Sequence, residues 1–170
     1  LARKPKGLKS CVLASTSASI PLFARECDRL IAGLPKAMQR ALAKHGATGD
    51  YSHPDYQAAM KEFYVRHLCR LKPWPECLER SVVNLDGNQV YDTINGPNEF
   101  TTIGNLRYWD RTASLAAVKT PVLITCGRYD ELGPVCARAM KAKLQNARMK
   151  VFRNSAHVAH IEEPAAYRAA

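Results

Sequence analysis

Asp130 and His157 are the two side chains whose types and order point most directly to chemistry. A serine hydroxyl is a poor nucleophile at neutral pH. An imidazole must take its proton, and a carboxylate must fix the imidazole's tautomer and stabilise its charge. Asp130 lies just past the run Pro121-Val122-Leu123-Ile124-Thr125-Cys126-Gly127, in which Val122 to Thr125 read as a buried strand broken by Gly127. His157 follows a second short strand, Lys150 to Arg153, in the segment Asn154-Ser155-Ala156-His157. A strand ending in Asp, then a helix, then a strand ending in His matches the back half of a Ser…Asp…His hydrolase in chain order. In open α/β sheets such groups gather beyond the carboxyl ends of the strands. Taken singly, Asp130 reads as a turn cap and His157 as a loop histidine; the pairing at successive strand ends favours catalysis.

The other candidates are weaker. His160 is a rival base, placed at the start of the next helical stretch and facing elsewhere. His45, His53 and His67 have no partner motif and read as surface or helix-face residues. A G-x-S-x-G elbow would place a nucleophilic serine on a strained strand-to-helix turn, but none of the nine glycines flanks a serine in that pattern. Ser15, Ser17 and Ser155 follow strands without the elbow context, and Cys126 has no positioned base. The nucleophile and its oxyanion-hole loop are expected outside these 170 residues, and the segment alone is expected to be inactive.

The elements that would position the pair alternate in type. Leu8 to Ala14 reads as a short buried strand. Helical periodicity follows, with Leu22, Cys27, Leu30, Ile31 and Leu34 on one face up to Pro35. A second helix carries Met38 and Leu42 and stops around His45-Gly46. A third covers Asp55 to Arg70 with Tyr56, Met60, Phe63, Tyr64 and Leu68 on its apolar side, a fourth covers Glu76 to Asn84, and Val90 to Ile94 add a short turn. After the Asn95-Gly96-Pro97-Asn98 turn, the pattern is the Val122 strand, a helix over Pro134 to Leu144, the Lys150 strand and a helix from Pro164. This divides the chain into a strand segment (1–19), an all-helical insert (20–94) and a β-α-β-α segment (95–170). Alternating strands and helices predict a parallel sheet. Three strands are too few for a covered sheet, so further strands are expected upstream, in keeping with a chain that opens on Leu1 and closes on a helix start.

Composition narrows the class. Hydrophobic residues make up 46% of the sequence, which suits a globular domain. The formal charge is +10 with a pI near 9.5, yet the basic residues are scattered apart from Arg3-Lys4-Pro5-Lys6-Gly7-Leu8-Lys9. No nucleic-acid motif appears, so a solvated surface is the expectation. Six cysteines without a CxxC pair, two of them (Cys11 and Cys126) in predicted buried strands, favour a reducing, cytoplasmic compartment over a disulfide framework. No apolar run approaches a membrane span, and no residue spacing suggests a metal or another cofactor.

Further motifs carry a family resemblance. Asn95-Gly96-Pro97-Asn98-Glu99-Phe100-Thr101, Gly104, Trp109-Asp110, Gly127-Arg128-Tyr129-Asp130-Glu131, Pro134 and Ser155-Ala156-His157 together resemble the proline iminopeptidase family of α/β-hydrolases, in its tricorn-interacting aminopeptidase branch. Pro54-Asp55-Tyr56, Phe63-Tyr64, His67-Leu68 and Trp74-Pro75-Glu76 extend the likeness through the insert. The resemblance implies an α/β-hydrolase fold, here its last three parallel strands with flanking helices, and an all-helical cap inserted over the site. It implies Asp130 and His157 as acid and base of the triad. Glu99 and Glu131 become the carboxylates that hold the free α-amino group of a short peptide substrate, through charge-assisted hydrogen bonds. On the residues alone, Glu99 is a turn residue and Glu131 a helix-start residue favoured by the macrodipole. Tyr56, Phe63, Tyr64 and Trp74 can be cap core or pocket wall, core being the commoner fate. Leu132-Gly133 departs mildly from the family, which often has a β-branched residue and Thr there. The rivals are another hydrolase of this fold (esterase, amidase or epoxide hydrolase) and a non-catalytic binding module.

Overall fold

The floor of the molecule is a sheet of three parallel strands, β1 (Cys11–Ala14), β2 (Val122–Gly127) and β3 (Ala147–Phe152), with β2 in the centre. The structure is a computed structural model and describes residues 5–85 and 87–170. Arg3 and Lys4 of the basic cluster lie outside them.

Position in the sheet explains the composition of each strand. The central strand is covered on both faces and is almost wholly buried, as its continuous apolar run requires. β3 alternates Ala147, Met149 and Val151, which pack on the core, with exposed Arg148 and Lys150. It therefore begins three residues before the predicted Lys150, because the alternating basic residues belong to an amphipathic strand rather than to a loop. β1 corrects the expectation in the other direction. It starts at Cys11, and Leu8 and Val12 are 38% and 56% exposed. An edge strand with a single neighbour cannot bury both faces, so Cys11 is only half-buried.

Five helices separate β1 from β2: α1 (Ile20–Ile31), α2 (Lys36–Thr48), α3 (Pro54–His67), α4 (Glu76–Val83) and α5 (Gln89–Ile94). Ser19 caps α1 by accepting the Leu22 N–H, with proline in the first turn. α2 runs past the expected stop at His45-Gly46 to Thr48, where Gly49 supplies the left-handed cap at φ 72°. α3 ends at His67, short of the predicted Arg70, and its last carbonyl turns to the loop that follows β3. Phe23, Cys27, Leu34, Leu42, Tyr56, Ala59 and Phe63 form one core between α1, α2 and α3. Trp74 packs in a smaller cluster with Leu78 and Val158. Tyr56, Phe63 and Trp74 are thus packing residues.

After a 3-10 turn (Ala113–Ala117), β2 leads through α6 (Pro134–Lys141) to β3, and the chain closes with α7 (Ala159–Glu162) and α8 (Pro164–Arg168). α6 lays Ala137 and Met140 on the sheet beside Val122, Ile124 and Cys126. Its Cys136 points the other way, into the helical core, so α6 joins the two apolar clusters. All six cysteines are free. No helix among the described residues is long and apolar enough to cross a membrane.

Candidate active site

Parallel pairing of β2 with β3 continues into the loops that leave them. The Arg128 N–H donates to the Phe152 carbonyl (2.8 Å) and the Tyr129 N–H to the Ser155 carbonyl (3.1 Å). A side chain at Gly127 would strike the carbonyls of Ser155 and Ala156, so only glycine lets the loops close this tightly. The zipper brings the sequence-predicted pair into contact. His157 Nδ1 lies 3.1 Å from Asp130 Oδ1. Because a carboxylate only accepts, Nδ1 carries the proton and Nε2 faces away from Asp130. Asp130 Oδ1 also accepts the Leu132 N–H at 2.9 Å, so turn capping and orientation of the histidine are one arrangement. Burial disfavours the charged ring, but the Asp130 hydrogen bond and the charges of Asp130, Glu131 and Glu99 outweigh it and hold His157 up at about 9.

Glu131 does not begin a helix; α6 starts three residues later, at Pro134. It is 0% exposed, and neither carboxylate oxygen has a hydrogen-bond partner among the described residues. Oε1 sits 4.0 Å from His157 Nδ1. Burial first, then the charges of Glu99 and Asp130, push the Glu131 carboxyl well above its usual range, against the pull of His157. Glu99 is half-buried on a built turn. Asn98 Oδ1 accepts the N–H groups of Phe100 (3.2 Å) and Thr101 (2.9 Å), and its amide donates to the Tyr56 hydroxyl (2.7 Å). Gly96, at φ 134°, makes the bend that starts the turn. The Glu99 N–H points at the Tyr64 hydroxyl, so Tyr64, unlike Tyr56 and Phe63, borders the site. All four predicted residues therefore meet electrostatically, and His157 is the positive group that pulls against the raised Glu131 carboxyl.

The remaining candidates separate. His160 is exposed on α7 and packs edge-on against Tyr167, away from Asp130. Cys126 is buried, and burial with the nearby Asp130 charge pushes its thiol up to about 12, the opposite of an activated thiolate. Ser155 donates to Glu163. Ser15 has left-handed backbone (φ 42°), and its hydroxyl donates to the His157 carbonyl at 2.8 Å rather than to the ring.

None of the three histidines read as surface or helix-face residues is fully exposed. His45 is 5% exposed and stacks on His53 with ring centroids 3.6 Å apart. With Asp55 they form the one trio of ligand-type side chains among the described residues. The rings are near-parallel, 19° between planes, and His53 Nδ1 already accepts the Asp55 N–H at 3.1 Å. His67 is half-buried, and its Nδ1 lies 2.7 Å from the Tyr129 carbonyl, which makes it a donor to the residue before Asp130. Burial and the charges of Arg66, Arg29 and Arg70 hold it below its usual range, so the ring stays neutral. His67 follows Phe63 by four residues and so shares its face of α3, but nothing in its spacing marked Tyr129 as its partner.

Comparison with known proteins gives the arrangement a setting. A family profile described as the alpha/beta hydrolase fold matches residues 1–164. The proline iminopeptidase of Thermoplasma volcanium is 37% identical over 156 residues, 92% of this chain and 53% of that protein. The proline iminopeptidase of Lactobacillus delbrueckii subsp. lactis is 41% identical over 165 residues, 96% of this chain and 55% of that protein. The chain thus spans about half the length of the curated relatives it matches. Among solved structures, VinJ superposes with a TM-score of 0.95 at 37% identity, covering 99% of this chain and 57% of its own. The proline iminopeptidase of Mycobacterium smegmatis gives a TM-score of 0.89 at 37% identity, with 99% and 56% covered.

Proposed function

The chain belongs to the α/β-hydrolase family, and from that premise we propose that it carries the acid, the base and the amine-binding carboxylates of a serine aminopeptidase akin to the proline iminopeptidases. One observation carries the proposal. Glu131 is a fully buried carboxylate with no hydrogen-bond donor among the described residues, beside Glu99 and the Asp130–His157 pair. A buried carboxylate without a donor costs roughly 1–3 kcal/mol or more, and the ligand that would relieve it is a cation with N–H groups. The free α-amino or imino group of a peptide has that chemistry, and it stands next to the first peptide bond.

A serine outside these residues would attack the carbonyl of that bond. Its proton passes to His157 Nε2, which returns it to the leaving nitrogen as the C–N bond breaks; water then releases the acyl group by the same route. Asp130 holds the Nδ1–H tautomer and offsets the imidazolium charge. With no amine bound, the surrounding carboxylates favour the protonated form of His157, which is the poorer base. An ammonium held by Glu99 and Glu131 cancels charge that retains that proton, so amine binding readies the base. This couples recognition to catalysis and selects short peptides with a free N-terminal proline or another apolar residue. The free thiols fit a reducing, cytoplasmic setting.

The test is release of proline from a proline–chromogenic amide by the longer protein that carries the nucleophile, beside Glu99→Gln in the same protein. Proline release that falls sharply with Glu99→Gln, with this chain alone inert, supports the reading. Ester hydrolysis indifferent to Glu99 would move the chain to another hydrolase of this fold. A nucleophile-bearing protein without hydrolytic activity would make it a binding module.

A further inference from the structure

His157 is held from behind by a set of contacts that the reaction itself does not use. Its backbone N–H donates to the last carbonyl of α3, that of His67 (3.2 Å), and to that of the next residue, Leu68 (3.1 Å). Its carbonyl accepts the Ser15 hydroxyl. Beneath the loop lie two consecutive glutamates that bond in different ways. Glu162 uses both oxygens: Oε2 accepts the Ala156 N–H at 2.7 Å, and Oε1 accepts the Arg70 N–H, just past α3, also at 2.7 Å. Glu163 uses one: Oε2 accepts both the Asn154 N–H, at 3.0 Å, and the Ser155 hydroxyl.

We propose that Glu162 is a positioning residue, a two-oxygen latch that ties the end of the helical insert to the His157 loop and so sets the imidazole against Asp130. Ala156 immediately precedes His157, and Arg70 lies two residues beyond Leu68, whose carbonyl takes the His157 N–H. The latch therefore closes a ring of hydrogen bonds around the residue whose side chain must meet Asp130. His67 extends the same brace to the other partner, through the Tyr129 carbonyl. The end of α3 thereby touches the loops of both Asp130 and His157, and a shift of the insert becomes a shift of the acid–base pair. Glu163 holds the loop internally and makes no tie to α3.

The chemistry of the two carboxylates gives a discriminating test. Glutamine is isosteric with glutamate but presents one acceptor oxygen and one NH2 donor. At 163 a single oxygen suffices, so Glu163→Gln keeps both hydrogen bonds. At 162 the NH2 must face a backbone N–H, so Glu162→Gln breaks the latch without changing its size. The inference rests on Asp130 and His157 being an acid–base pair, and two readouts keep its failure separate from failure of that reading. In the longer, nucleophile-bearing protein, Glu162→Gln is expected to lower kcat on the order of ten- to a hundredfold while KM for the proline amide changes by about threefold or less. Glu163→Gln is expected to stay within about threefold of the parent in both. In this 170-residue chain, whatever its activity, the downfield proton NMR resonance of His157 Nδ1–H is expected to broaden or vanish in Glu162→Gln and to persist in Glu163→Gln. Equal behaviour of the two variants in both readouts, or an effect of Glu162→Gln confined to KM with the resonance intact, would overturn the proposal. A loss of thermal stability common to both variants with the resonance unchanged would reduce Glu162 to a packing residue.

Discussion

Replacing Glu131 by glutamine should stabilise the protein at neutral pH while removing one of the two carboxylates proposed to bind the amine. The carboxyl is fully buried and unpartnered, and its pKa in the folded chain is raised by burial, then by Glu99 and Asp130. A group whose folded pKa is raised favours the folded state below its unfolded pKa and loses that contribution as pH rises. The stability of the parent chain should therefore begin to fall above about pH 4.5, the ordinary value for glutamate. Glutamine does not titrate. At pH 4.5 and below the two chains should be nearly equal, because both then bury a neutral, poorly satisfied group. Towards pH 7 the variant should become more stable by about 1–2 kcal/mol, the lower part of the range for an unsatisfied buried group, since the amide also lacks partners. For a chain of this size that is roughly 2–4 °C in melting temperature per kcal/mol. Above pH 7 a second group enters. His157, raised from 6.5 to about 9, contributes stability that is complete below 6.5 and lost as pH rises through 9. Removing the Glu131 charge leaves the variant less of this His157 contribution to lose, so the gap should widen further between pH 7 and 9. Circular dichroism melts from pH 4 to 9 measure the curve. A gap that is flat with pH, or a variant less stable than its parent at pH 7, would show that Glu131 has a satisfying partner and refute the argument from burial.

Two further outcomes follow from the packing. Gly127→Ala should destabilise by about 1–3 kcal/mol or more, because the added methyl meets the backbone carbonyls of Ser155 and Ala156 and not a side chain that can swing away; urea denaturation of variant and parent measures it, and a change within error would mean the loops are free to part. Alkylation under native conditions, read by mass spectrometry, should modify Cys77 first and Cys11 more slowly, while Cys27, Cys69, Cys126 and Cys136 react only on unfolding. Early labelling of Cys27 or Cys136 would mean that the contact between α6 and the helical insert opens readily.

The order of elements was legible because two periods do not resemble each other. The continuous apolar run of Val122 to Cys126 announces a central strand, and the helical spacing of Leu22, Cys27, Leu30 and Ile31 announces a face, whatever surrounds them. What failed to show were consequences of neighbours. Leu8 to Ala14 is as apolar as a buried strand, but burial depends on how many strands flank it, and β1 has one. β3 reads as starting only at Lys150 because Arg148 and Lys150 interrupt the apolar Met149 and Val151; only the sheet reveals that these two basic residues simply face solvent. His45 looked like a surface residue because nothing local tells a helix face that meets solvent from one that meets His53, eight positions away.

For the site, the division runs between what a strand end dictates and what a loop collects. Parallel strands present their carboxyl ends on one edge, so Asp130 and His157 had to come close once their strands were recognised, and they do. Glu131 follows Asp130 immediately, yet its burial could not be read from that adjacency. It depends on how the turn to α6 folds under the insert, and on Glu99 arriving from a segment set by Asn98 and Gly96. Glu162 is harder still. A glutamate before Glu163-Pro164 has the composition of any helix start, and its two acceptors were assigned only when the end of α3 came within reach. The side chains proposed to act are thus fixed by topology and visible early, whereas those proposed to hold them in register are fixed by packing between distant segments. Substitutions at this second group should act through the distance between Asp130 and His157, leaving the identity of both intact.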